Sequence, residues 1–344
     1  MRIPTIAFAL SLLAPHAGAE PDHRAAAARL LEEVAVPGSA GFVAAADALR
    51  TAAPPECGTL DGDGLRAAFQ ETWDAWMAIQ HLRFGPIEDE SRILQVAFWP
   101  DSRGTVGRTT ERTLAAENAP VDDPVAFAKI SVGARGLPAL ERVLYDDDGP
   151  VALDVPFRCA YAAAIAEDLH RLASEIEGAW AGEWGTSWTT AGEPGNAVFL
   201  APAETSQRLF AATLGALEET ARNRLGTPLG TVSAVRPRLA EARRSGRSLR
   251  QIALILDATE RTVDVAFGPD LSAEARGAVA EAYGKARTEL AAVEELGDLP
   301  TALAESRIRV EILQQGITGV VNALRARVGP ALGIAEGFNS ADGD

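Results

Sequence analysis

The sequence predicts an all-α protein made of two helical bundles packed together. Three observations carry that prediction. Apolar residues recur at helical spacing through nearly the whole chain, alternating patterns of the kind strands need are scarce, and Gly/Pro-bearing turns separate the helical stretches. A chain of 344 residues with 47% hydrophobic content has core enough for two domains.

The elements follow in order. MRIPTIAFALSLLAPHAGAE opens with Arg2, continues with an apolar run from Ile6 to Leu13, and ends in Ala17-Gly18-Ala19. This is the layout of a cleaved signal peptide, with a basic start, a short apolar core and a small-x-small cleavage site. The run is too short for a permanent membrane span. No cysteine follows it, so a lipoprotein is excluded. Cleavage after Ala19 and export to the periplasm are expected. After the turn-rich LDGDG, Leu65, Phe69, Trp73, Trp76 and Ile79 form one apolar stripe. Ile165, Leu169, Leu172, Ile176 and Trp180 form another. Residues 181–203 are rich in Gly, Thr and Pro and show no helical period, which places a domain boundary there. Leu209, Phe210, Leu214, Leu217 and Leu225 resume the pattern up to Gly226 and Pro228. Leu249, Ile252 and Leu256, then Leu313, Ile317, Val320, Leu324 and Val328, complete it. The organisation expected is a signal at 1–19, an N-terminal bundle at 20–190 and a C-terminal bundle at 191–344.

Charge narrows the function. The net charge is −16, and removing the signal with its single Arg2 makes it −17. Such a surface repels nucleic acid and anionic lipid, so neither nucleic-acid binding nor membrane insertion is expected. Cys57 and Cys159 are the two cysteines. In an oxidising compartment an isolated pair most simply forms a disulfide. The competing reading, two free thiols or a metal pair, has no CxxC spacing or neighbouring histidine behind it.

The common catalytic motifs are missing: HExxH, GxSxG and the phosphate-binding Gly loop. Asp61-Gly62-Asp63-Gly64 begins like a calcium loop, but Leu65 and Thr72 stand where ligands belong. Asp63 reads better as a helix cap. Glu167 and His170 form one ExxH pair. A di-iron bundle needs two such pairs, so this one reads as a solvated helix face. Of the four histidines, His16 lies in the signal and His23 near the mature terminus, leaving His81 and His170. A hydrolytic zinc site normally takes three protein ligands. The densest polar stretch is QHLRFGPIEDESRILQVAFWPDSRG (80–104), where Arg83, Trp99, Asp101 and Arg103 sit among proline breaks. This reads either as a binding loop on a rigid scaffold or as a structural loop pinned by an Arg–Asp pair.

RFGP (83–86), FWPD (98–101), GLPALERVLYD (136–146) and the terminal GFNSADGD (337–344), in that order behind a signal, resemble the imelysin family. The resemblance spans essentially the whole mature chain. It implies exported helical bundles, a link to iron acquisition, and a classification among metallopeptidases resting on a Gly-x-His-x-x-Glu motif. Gly136 and Glu141 match that motif, and Pro138 stands in place of its histidine. Proline has no side-chain ligand atom but suits the first turn of a helix. Glu141 gains a modest dipole stabilisation there, about 0.3–1 kcal/mol.

The reading that results is an exported, non-catalytic binding or accessory protein tied to iron uptake, acting on a metal ion or small ligand and served by an iron-uptake membrane component. Its binding residues are Arg83, Trp99, Asp101, Arg103 and Glu141. Glu141 and Asp101 are the metal candidates, and an all-oxygen site favours iron or calcium. Glu141 pairing with Arg83 or Arg103 is the organic-ligand alternative. Two further readings stand beside it: a metallopeptidase in which His81 or His170 reaches Glu141, and a structural module that docks a partner.

Overall fold

A computed structural model describes residues 20–57, 60, 62–145 and 155–334. The segment 1–19 expected to be a signal, the acidic run Asp146–Asp148 and the terminal 337–344 lie outside the described residues.

The described residues are all-α, as expected. The helices are α1 (His23–Leu30), α2 (Val36–Ala52), α3 (Asp63–Ile79), α4 (Arg92–Val96), α5 (Thr105–Ala116), α6 (Pro124–Phe127), α7 (Gly136–Tyr145), α8 (Val155–Ala181), α9 (Glu183–Thr189), α10 (Pro202–Glu219), α11 (Gly226–Leu229), α12 (Ser248–Thr262), α13 (Ala273–Glu294), α14 (Leu299–Glu305) and α15 (Arg307–Ala331). Three π-helical turns, Leu31–Ala35, Thr220–Leu225 and Val263–Phe267, interrupt the helical runs. Each is followed within a few residues by a proline: Pro37, Pro228 or Pro269. A proline lacks the N–H that the α ladder needs, and its ring collides with the carbonyl four residues back. A π turn widens the helix at that point and takes up the mismatch.

Helix α2 packs on both α3 and α8 to form one bundle, and α10, α12, α13 and α15 form the other. The two meet where α3 packs on α12 and where α1 lies against α10. The stripes read from the sequence are the buried faces. Phe69, Trp73, Trp76 and Ile79 of α3 are each at most 1% exposed, as are Ile165, Leu169, Leu172, Ile176 and Trp180 of α8. A buried large side chain of this kind contributes about 1.5–3 kcal/mol. Cys57 and Cys159 form the expected disulfide, with Cα atoms 5.8 Å apart.

Two local expectations shift. Asp63 is the first residue of α3 rather than its cap, which is Gly62. The segment read as aperiodic contains α9, whose Trp184 and Trp188 sit one turn apart. Their rings stack at 5.5 Å, and Trp188 also stacks on Phe84 at 5.1 Å. Phe84 belongs to RFGP, and the next residue, Gly85, has φ +49° with Trp184 pressed against it. A Cβ there would fall 2.1 Å from the indole. The RFGP motif is thereby accounted for by packing, since Gly85 alone permits both the backbone angle and the contact.

Candidate functional site

The GLPALE segment is placed by its glycine. Gly136 has φ +75°, and a Cβ on it would meet the carbonyl oxygens of Gln95 and Val96 at 2.4 and 2.5 Å. Only glycine lets α7 start so close to the end of α4. Leu137, Leu140, Val143 and Leu144 then turn into the core. Pro138 and Glu141 face a cavity of about 190 Å³ at the seam between the two bundles.

One wall of this cavity comes from the N-terminal motifs. Phe98, Trp99 and Asp101 line it, with Gly104 and Gly107 of the α5 entry, Trp73, Pro138, Glu141 and Arg142. Asp101 caps α5: its Oδ1 accepts from the Thr105 N–H at 2.7 Å and its Oδ2 from the Val106 N–H at 2.8 Å. The other wall is the loop 238–244, with Arg238, Glu241, Arg243 and Arg244. Nothing in the motif pattern pointed to this loop. Its visible signal was the density of arginine and the Pro237 and Gly246 punctuation in RPRLAEARRSGRS.

Polar bonds tie the loop to the first bundle. The Ser245 N–H and hydroxyl both donate to Glu141 Oε1, at 2.9 and 2.7 Å. Gln70 of α3 donates to the Ser245 carbonyl at 3.4 Å and to the Tyr145 hydroxyl at 3.0 Å. Arg247, 1% exposed at its side chain, pairs with Asp74 and donates to the Gln70 carbonyl at 3.1 Å. Arg250 closes on the same aspartate at 2.8 Å. Burial works to raise the Asp74 pKa, but the bonds and charges of Arg250 and Arg247 outweigh it and hold the carboxyl below its ordinary range. Behind the loop, Arg224 donates to Glu241 at 2.7 Å, with both side chains buried, and lies over the Trp99 ring at 5.1 Å.

Glu141 is 5% exposed. Burial pushes its carboxyl above the usual range. The two Ser245 bonds and the charges of Arg244 and Arg243 pull the other way without cancelling the effect. A carboxyl in this setting gives up its charge readily and is held in place by its neighbours.

The residues named from the sequence are thus partly gathered. Trp99, Asp101 and Glu141 share the cavity. Arg83 lies elsewhere, paired with Glu219. Arg103 is exposed outside the cavity lining, and its carbonyl accepts from Arg108. Neither histidine lines the cavity. His81 is fully buried, its Nε2 sharing a 2.7 Å hydrogen bond with Thr262 across the seam, and burial drops its pKa to about 3. His170 sits on α8 with its Nε2 4.0 Å from Asp47, next to Glu167, which faces Arg50 at 3.7 Å; all four side chains are partly solvated.

As a metal site this donor set is poor. Among the described residues no three His, Cys, Asp or Glu side chains converge. Asp101 has both oxygens committed to α5, and Glu241 is committed to Arg224. Glu141, without a nitrogen partner at position 138, does not fit a resident transition metal.

Fold and cavity together define a helical two-bundle protein with a polar cavity at its seam. The family model described as Peptidase_M75: Imelysin matches residues 35–319, most of the chain, and the chain belongs to the imelysin family. An imelysin-like protein from Psychrobacter arcticum 273-4 shares the fold: TM-score 0.74 at 21% identity, over 92% of this chain and 97% of that one. No curated protein matches. Among the described residues no helix is long and apolar enough to cross a membrane.

Proposed function

We propose that this chain is an exported, non-catalytic imelysin-type binding protein linked to iron uptake, with residues 20–190 and 191–344 as its two bundles. Its ligand enters the seam cavity beside Glu141. The observation that carries the reading is Pro138. It lines the cavity one helical turn before Glu141, where the family motif has histidine, so the wall keeps its shape and loses its nitrogen ligand. Ser245 then occupies the carboxylate, which makes Glu141 a clasp between the bundles.

The metal form of this reading, in which Glu141 and Asp101 ligate iron or calcium, is the weaker one, because Asp101 would first have to release the two N–H groups at the start of α5. Titrating each ion into chelator-stripped protein by calorimetry tests it. Binding tighter than micromolar that disappears in Glu141→Ala supports the metal form; its absence leaves the small-ligand form. The metallopeptidase reading is disfavoured by one observation: His81 is sealed against Thr262 and His170 sits beside Asp47, both outside the cavity lining.

A further inference from the structure

A second cavity, of about 400 Å³, lies between the end of α2, the short helix α6 and one face of α8. It is about twice the size of the seam cavity and shares no lining residue with it. Its volume falls among those of small-molecule sites, roughly 300–1,000 Å³. The sequence of α8 creates the space. Ala160, Ala163 and Ala164 fall on one face of the helix, and their methyl groups leave room that larger side chains would fill. Ala53 and Phe127, both buried, extend the apolar lining. The walls are fixed before any ligand arrives. The Cys57–Cys159 disulfide ties the chain just past α2 to α8, next to Ala160. Asp123 caps α6, accepting from the Val125 and Ala126 N–H groups at 3.0 Å each.

The rim is charged. Asp122, Glu167 and Asp168 line it with Arg50 and Arg171. Each arginine is already engaged by two acids. Arg171 meets Asp168 at 2.5 Å and Glu175 at 2.6 Å. Arg50 meets Asp47 at 2.6 Å and reaches Glu167 only at 3.7 Å. Asp168 is buried and takes Arg135 as well, at 2.9 Å. Glu167 and Asp122 are the acids left short of counter-charge. Among the described residues the Asp122 side chain has no ion pair or hydrogen bond. Residues 58–61, 146–154 and 335–344 contain neither arginine nor lysine, and 1–19 contains Arg2 alone. An ammonium group donates three hydrogen bonds from one compact charge and suits such a pair of carboxylates. We propose that this cavity binds a small organic amine, its apolar body on the alanine face and Phe127, its ammonium held at the rim by Glu167 and Asp122. An organic acid would meet the same two carboxylates and be repelled, and a bare metal ion would leave the apolar face unused. The net charge of −16 draws cations to the surface. The site goes beyond the seam-cavity reading and does not rest on it.

Calorimetric titration at neutral pH with phenethylamine tests this, beside phenethyl alcohol and hydrocinnamate as neutral and anionic molecules of similar shape. Phenethylamine binds at one site, about fivefold or more tighter than the alcohol, and more weakly as sodium chloride rises. Hydrocinnamate binds weakest. Glu167→Gln and Asp122→Asn each weaken the amine roughly threefold or more and leave the alcohol unchanged. Asp122 is exposed and Glu167 half-buried, so neither substitution enters the core. Ala164→Phe fills the cavity and removes binding of amine and alcohol alike. The two acid variants keep the test readable if that one fails to fold. No binding of phenethylamine, binding no tighter than that of the alcohol, binding unchanged in both acid variants, or binding retained by folded Ala164→Phe overturns the proposal. Each of those results leaves the seam cavity and its own titration untouched.

Discussion

Replacing His81 with Gln separates a sealed histidine from one able to reach a metal. In the fold His81 is fully buried, bonded to Thr262 and held neutral, its pKa lowered from 6.5 to about 3. In the unfolded chain it takes a proton as soon as the pH drops below about 6.5. Between those two values the unfolded state binds more protons than the native one, so acid favours unfolding. The stability this histidine contributes is complete above pH 6.5 and shrinks by about 1.4 kcal/mol per pH unit below it. From pH 6.5, where the unfolded ring is already half protonated, to pH 4.5 the loss is about 2.3 kcal/mol. His81→Gln removes the titrating ring and keeps an amide able to bond Thr262. Urea unfolding of both proteins across pH 4.5–7.5 isolates the histidine, because every other titrating group cancels in the difference. The difference curve is expected to slope in favour of the variant as pH falls. A flat difference would mean that His81 protonates freely in the native protein, and the sealed-histidine argument would fail with it.

Three further outcomes follow from single contacts. Ser245→Ala takes the hydroxyl from the buried Glu141 and leaves only the backbone N–H; a cost of about 1–3 kcal/mol in urea unfolding is expected, and a neutral result would mean the clasp contributes nothing. Gly136→Ala forces a Cβ into two carbonyl oxygens at positive φ, so the melting temperature should fall by several degrees, reflecting at least about 1–3 kcal/mol of strain. Cys57→Ser with Cys159→Ser opens a loop spanning 102 residues, for which the chain-entropy treatment gives about 4–5 kcal/mol; reducing the wild-type protein should match the double variant.

The fold was largely legible because its stripes are long and their apolar faces are deeply buried. Leu65, Phe69, Trp73 and Trp76 repeat at helical spacing, and burial is what selects that spacing. Helix α9 was hidden because seven residues hold only two apolar anchors, Trp184 and Trp188, among Gly, Ser and Thr. The site was half legible. Trp99, Asp101, Pro138 and Glu141 stand in motifs, and the fold brings them to one cavity. Arg83 and Arg103 were grouped with them by closeness in sequence, but the chain turns Arg83 to Glu219 and Arg103 to the surface. The 238–247 loop escaped notice because its role depends on partners far along the chain: Ser245 meets Glu141 across 104 residues and Arg247 meets Gln70 across 177. No local pattern encodes such a pairing.

The account turns on position 138, where a ring that cannot ligate has displaced one that can. The most direct measurement is hydrolysis of a denatured protein substrate by the purified chain, with and without a metal chelator, beside its Glu141→Gln variant. The account predicts no turnover above buffer in any arm. Cleavage that the chelator abolishes and the variant lacks would contradict it.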